Sequence, residues 1–184
     1  MKKLLSLVLS AVMLSMACAG CGTKTGTDSA DTGNTIKIGV FEPTTGENGG
    51  GGVQEVLGIR YANSLRKTVT IDGTEYNIEL VEVDNQSDKT AAVTAAQNLV
   101  SAGVKAVLGS YGSGVSIAAG STFKDAKIPA IGVSCTNPQV TAGNDWYFRV
   151  CFLDPFQGTV MANYAGVTLG LTNAAVICQN GDDY

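Results

Sequence analysis

The chain has 184 residues, with 12 Lys and Arg against 16 Asp and Glu, and no histidine. The missing histidine excludes a Ser-His-Asp hydrolase and removes the commonest general base together with the commonest transition-metal ligand. A formal net charge of −4 makes nucleic acid and anionic membrane poor partners.

The N-terminus, "MKKLLSLVLSAVMLSMACAGC", has two lysines, then an apolar run from Leu4 to Ala17, then small residues and cysteine. The run is too short to span a bilayer, and the order is that of an export signal, assigned here to residues 1–20. Cys18 and Cys21 could suggest a Cys-x-x-Cys redox pair, but such pairs sit beside folded βα units, not at the end of a signal. The Ala19-Gly20-Cys21 ending followed by Gly22 resembles a bacterial lipobox, with Cys18 where that pattern prefers leucine. The expected lipidation site is Cys21, with Cys18 as its competitor, which places the protein outside the cytoplasm on a membrane anchor. Residues Gly22 to Asn34 carry no large apolar side chain and read as a flexible tether reaching roughly 20 Å. Without Lys2 and Lys3, 10 basic residues face 16 acidic ones.

From Thr35 onward, short β-rich runs alternate with helical stretches, the pattern of a parallel sheet covered on both faces. The fold class is α/β, a doubly wound parallel sheet. Predicted strands are Thr35–Phe41, Asn77–Val83, Ala106–Gly109, Pro129–Val133, Trp146–Val150 and Ala174–Gln179; predicted helices are Val53–Arg66, Lys89–Ala102, Ser113–Ala126 and Pro155–Leu169. In such sheets ligands meet the loops at the carboxyl ends of the strands. Cys135, Cys151 and Cys178 are scattered through sequence that reads as core, and suit buried small hydrophobes better than a disulfide or a metal. Phe41, Tyr61, Phe123 and Trp146 are expected in the core. In "DNQSD", Asp84–Asp88, Lys89 stands where a calcium loop needs glycine and Ala95 where it needs glutamate, so Ser87 is read as a helix cap.

Two glycine-rich stretches follow predicted strands. In "TTGENGGGGVQ", Gly46-x-x-x-x-Gly51 is followed by Gly52 and Val53, without the lysine and hydroxyl residue of a phosphate loop. "GSYGSG", Gly109–Gly114, opens a helix but has the wrong spacing for a dinucleotide fingerprint and follows the third strand.

The run Pro43-x-Thr45-Gly46-x-x-Gly49-x-x-Gly52 ending at Gly58, followed in order by "VEVDNQSD", "VLGSYGSGVSIAAGSTFKDAKIPAIGVSCTNP", Phe148-Arg149 and Asp154-x-x-Gln157-Gly158, resembles the Leu/Ile/Val-type solute receptors of ATP-driven importers from Thr35 to Tyr184. That resemblance implies a type I periplasmic-binding fold of two lobes hinged by crossing strands. Residues 35–150 would form the first lobe, and 151–184 the crossover and start of a second that ends early, from a truncated frame or a partial sequence. It implies an amino-acid ligand, a membrane-embedded ABC permease as partner, no cofactor and no enzymatic activity. A sensory receptor module is the alternative reading, to be separated by the sequence beyond Tyr184. Ser113 and Thr136 would bind the α-carboxylate, Ser134 would offer its backbone carbonyl to the α-ammonium, and Cys135 belongs to the same loop. Tyr184 falls, after a one-residue shift, near an aromatic lining the second lobe's side. Gly51 stands where relatives place an aromatic against the bound side chain, so the glycine run is expected to be a cleft wall lacking its usual contact.

Overall fold

The computed structural model describes residues 33–183. The expectations for the signal, Cys18, Cys21, the tether up to Thr32 and Tyr184 lie outside the described residues.

Strands β1 (Thr35–Glu42), β2 (Thr68–Ile71), β3 (Thr74–Asp84), β4 (Ala106–Leu108), β5 (Ala130–Gly132) and β6 (Tyr147–Arg149) form one sheet in the order β2-β3-β1-β4-β5-β6. All neighbours are parallel except β2, which runs antiparallel to β3. The chain leaves β1 for β3 on one side and returns to β4 on the other, so the switch in strand order lies between β1 and β4. Helices α1 (Gly49–Leu65), α2 (Lys89–Ser101) and α3 (Ser113–Ala126) connect the strands; α4 (Asp154–Asn163) runs into a π turn over Tyr164–Thr168.

Alternation along the strands divides the two faces. Phe41 and Val107 face α2 and α3, forming the main core with Ala92, Ala96, Leu99, Ala119, Phe123 and Tyr147. The Phe123 ring lies edge-on to Phe41, with centroids 5.5 Å apart. Burying three aromatic rings and Leu99 stabilises this face by about 1.5–3 kcal/mol per side chain. On the other face Ile38, Leu80, Leu108 and Val133 line an apolar groove beside Ile59 and Ala62 of α1. Helix α1 buries only Gly49, Gly52 and Val56, and Tyr61 is exposed instead of joining the core. Trp146 is half-buried; its neighbour Tyr147 takes the core position.

The other departures from the sequence reading have local causes. The hairpin β2–β3 was not predicted, although Asp72 (φ 48°) and Gly73 (φ 78°) form the left-handed two-residue turn that Asp-Gly favours. Helix α1 takes in Gly49–Gly52 as its first turn, before the predicted start at Val53. Ser87 does not cap α2: Asp88 accepts from the N–H groups of Thr90 (2.9 Å) and Ala91 (2.8 Å). Ala174–Gln179 is not a strand, and its Ile177 is 99% exposed. Among the described residues no strand lies beside it to satisfy its backbone. Of the three described cysteines, all free thiols, only Cys135 is buried; Cys151 is partly exposed and Cys178 exposed.

Candidate functional site

A cavity of about 300 Å³ opens at the carboxyl end of the sheet. The β1–α1 loop contributes Glu47 and Asn48, the β4–α3 turn Tyr111 and Gly112, and the β5 loop Ser134 and Thr136. Phe152 and the segment Gly181–Asp183 complete its rim. Switch-point geometry accounts for the opening: the loops after β1 and β4 leave in opposite directions and part from one another.

Three side chains hold these loops. Asp84, at the end of β3, accepts from the N–H groups of Thr44 (2.9 Å) and Gln86 (2.8 Å) and from the Thr45 hydroxyl (2.6 Å). Burial works against its charge, but the hydrogen bonds outweigh that and bring its carboxyl down to about 2. Ser87 reaches the same loop, accepting from Asn48 N–H (2.9 Å) and donating to the Thr45 carbonyl (3.2 Å). Arg149 donates to the Cys135 carbonyl (2.9 Å) and to Thr141 Oγ1 (3.0 Å), fixing the loop that follows β5.

Helix α3 begins at the cavity. Gly112 occupies its N-cap without a capping side chain, and Ser113, Gly114 and Val115, its first turn, line the space. The N–H groups of a first turn lack intrahelical acceptors and favour an anion. Ser113 Oγ accepts from Asn137 N–H at 3.1 Å, which leaves its own proton to be donated. Thr136 is 5% exposed, and its Oγ1 is buried with no partner among the described residues. The chain itself places a carboxylate nearby: Asp183 pairs with Lys89 at 2.5 Å, and its Oδ2 lies 3.2 Å from where a Gly114 Cβ would stand.

Ser113, Ser134 and Thr136 are therefore brought together, as the sequence suggested, while Cys135 is not. Its side chain turns into the core, and burial pushes its thiol up to about 11, making it an inert space-filler. Gly51 is not a vacated wall. A Cβ there would lie 2.5 Å from the ring of Tyr111, so a side chain from the β4–α3 turn already fills the space in front of it. Sequence reading missed Tyr111 as a cavity residue; "GSYGSG" held it, but only packing shows that its ring crosses to α1.

Beneath the cavity lies a pair of carboxyl groups also absent from the sequence reading. Glu42 is fully buried at the end of β1, within hydrogen-bonding reach of Glu55 on α1. Glu42 Oε2 accepts from Tyr111 N–H at 2.6 Å, and Glu55 Oε1 accepts from the Ser134 hydroxyl at 2.5 Å. Burial first, and the neighbouring Glu55 second, hold the Glu42 carboxyl far above the usual carboxylate range.

The match to known proteins follows the same chain. Residues 35–184 match the family described as periplasmic binding protein. A leucine-binding protein, LivK, of Thermotoga maritima superposes with a TM-score of 0.68 at 36% identity, over 74% of this chain and 38% of that one. The branched-chain amino-acid transporter substrate-binding protein LivJ of Streptococcus pneumoniae, in complex with isoleucine, gives a TM-score of 0.67 at 34% identity, over 74% and 39%. A Leu/Ile/Val-binding protein homolog 1 of Brucella abortus is 33% identical over 131 residues, 70% of this chain and 35% of its own. The chain thus spans less than two fifths of the length of these relatives. With the matched region running through every strand and every cavity loop, the chain belongs to the periplasmic binding protein family.

Proposed function

We propose that this chain is the first lobe of an extracytoplasmic amino-acid receptor serving an ABC importer, carried on a lipid at Cys21. The observation that carries the ligand class is the buried, unpartnered Thr136 hydroxyl beside the open first turn of α3 in one cavity. Leaving a polar group buried and unmade costs about 1–3 kcal/mol, which a ligand recovers when it supplies the missing partner. An α-carboxylate fits: it accepts from the first-turn N–H groups, from Ser113 and from Thr136, while the Ser134 carbonyl takes the α-ammonium. Tyr111, Val115 and Phe152 then meet the ligand's side chain, which favours an aliphatic group. The bound isoleucine of the LivJ relative and the names of the other relatives support the branched-chain class.

The cleft needs a second lobe to enclose the ligand, and the relatives have the length for one. In the receptor carrying both lobes, calorimetry with L-leucine, L-isoleucine and L-valine is expected to show binding with displacement among the three. No binding of any L-amino acid would overturn this reading. For the anchor, palmitate labelling in a bacterial host is expected to be lost in Cys21→Ser; loss in Cys18→Ser alone would move the acylated residue.

A further inference from the structure

We propose that Glu42 and Glu55 are positioning residues of the binding site that share one proton, and that this shared proton holds the loops of Tyr111 and Ser134 in the geometry the ligand meets. The inference deepens the amino-acid reading above and rests on it for its binding test.

Each carboxyl is committed on one side to a cavity loop, Glu42 to Tyr111 N–H and Glu55 to the Ser134 hydroxyl. Each also has a second oxygen, Glu42 Oε1 and Glu55 Oε2, buried without a donor among the described residues. Two carboxylates within hydrogen-bonding reach, each carrying a bare buried oxygen, repel unless a proton lies between them. With that proton, one group donates to the other, and the pair carries a single negative charge. Strand β1, helix α1 and both cavity loops are then tied through one bond.

Among the described residues no ion pair to Glu42 or Glu55 is formed; Arg66, at the end of α1, lines the apolar groove together with Glu55. Glu42 acts on Tyr147 of β6, whose phenol donates to the Gly109 carbonyl at 2.9 Å, and Glu55 acts on the Cys151 thiol. Burial pushes the Tyr147 phenol up, so it too stays neutral. Arg149 directs its guanidinium to the Cys135 and Pro138 carbonyls and to Thr141.

The sign of the pH dependence follows. The Glu42 carboxyl is raised from 4.5 to about 10 in the fold, so the native state holds a proton that the unfolded chain releases. Stability from the Glu42 proton is complete below 4.5 and is lost progressively as pH rises through about 10.

The ligand-free test is thermal unfolding of the full chain between about pH 5 and pH 10. The parent is expected to lose melting temperature as pH rises, and Glu42→Gln and Glu55→Gln to flatten the decline, because a carboxamide replaces the titrating proton with a fixed N–H. An alkaline slope unchanged in both variants overturns the shared proton. The positioning test uses L-isoleucine calorimetry at pH 7 in the two-lobed receptor. Glu55→Ala is expected to weaken binding about tenfold or more, and Glu55→Gln to restore it to within a few fold. Glu55→Ala binding like the parent, or Glu55→Gln as weak as Glu55→Ala, overturns the positioning role. If the parent binds no L-amino acid, the amino-acid reading falls, and hydrogen exchange of residues 109–112 and 133–137 decides the positioning instead: faster exchange in Glu55→Ala and parent-like exchange in Glu55→Gln support it, and equal exchange in all three overturns it.

Discussion

Thr136 is a residue whose energetic cost and function point in opposite directions. Its Oγ1 is buried with no partner among the described residues, so Thr136→Val, which keeps shape and removes the hydroxyl, is expected to raise stability by about 1–3 kcal/mol. The same change is expected to weaken amino-acid binding roughly ten- to a hundredfold, since a charge-assisted hydrogen bond is lost. Melting curves and calorimetry on the same variant check the pair; a variant that loses stability as well as affinity would show that the hydroxyl serves the fold. The glycines of the first turn of α1 are unequal in a way their uniform sequence hides. A Cβ on Gly50 meets nothing, on Gly51 it meets the Tyr111 ring at 2.5 Å, and on Gly52 it meets the Pro43 carbonyl at 2.0 Å. Gly50→Ala is therefore expected to stabilise by about 0.5–1 kcal/mol through helix propensity, and Gly52→Ala to destabilise by about 1–3 kcal/mol because backbone must move. Gly51→Ala is expected to displace Tyr111 and alter side-chain selectivity with little effect on stability. Chemical denaturation of the three variants ranks them, and equal effects would contradict this account.

At the scale of elements, the site depends on how β3 pins the glycine-rich loop. Asp84 holds Thr44, Thr45 and Gln86 with one carboxylate, and its folded value of about 2 lies below the ordinary 3.8. That stabilisation is present above pH 3.8 and is lost as pH falls through about 2. Between about pH 5 and pH 2 the parent is expected to lose more melting temperature than Asp84→Asn, which begins less stable at neutral pH; parallel acid profiles would remove Asp84 from the account. Which elements could be read from sequence follows from the same division between local and distant causes. Helix α3 was legible at both ends, Ser113 and Ala126, because its start and its apolar period are local. Ser113, Ser134 and Thr136 were expected together from the family resemblance, and they meet at one cavity because the segments after β4 and β5 converge at the carboxyl end of the sheet. Tyr111 and the Glu42–Glu55 pair were not, since their roles arise from contacts between β1, α1 and two loops that no spacing in the chain encodes. The strand expected at Ala174–Gln179 failed for the complementary reason: its composition suits a strand, but a strand also needs a neighbour.

At the scale of the molecule, the described chain has one well-packed face and a large unpacked remainder. Helix α4 buries none of its residues, and Phe156, Met161, Val167, Val176 and Ile177 are exposed. Together with the apolar groove beside α1, these side chains leave extended apolar surface exposed, and such surfaces associate. The cavity opens to solvent, so hydrogen bonds that a ligand makes at its mouth would compete with water. If a two-lobed receptor binds at about micromolar, or −8 kcal/mol, and half of that comes from this lobe, the 184-residue chain retains about −4 kcal/mol, which is millimolar. The chain is therefore expected to elute as mixed oligomers in size-exclusion chromatography with light scattering, to bind an apolar dye, and to give no measurable L-isoleucine heat at micromolar concentrations. Chromatography and calorimetry run beside the two-lobed receptor provide the comparison. A monodisperse chain with micromolar affinity would show that the Thr136 cavity is sufficient by itself, and enclosure by a second lobe would then no longer be required to explain binding.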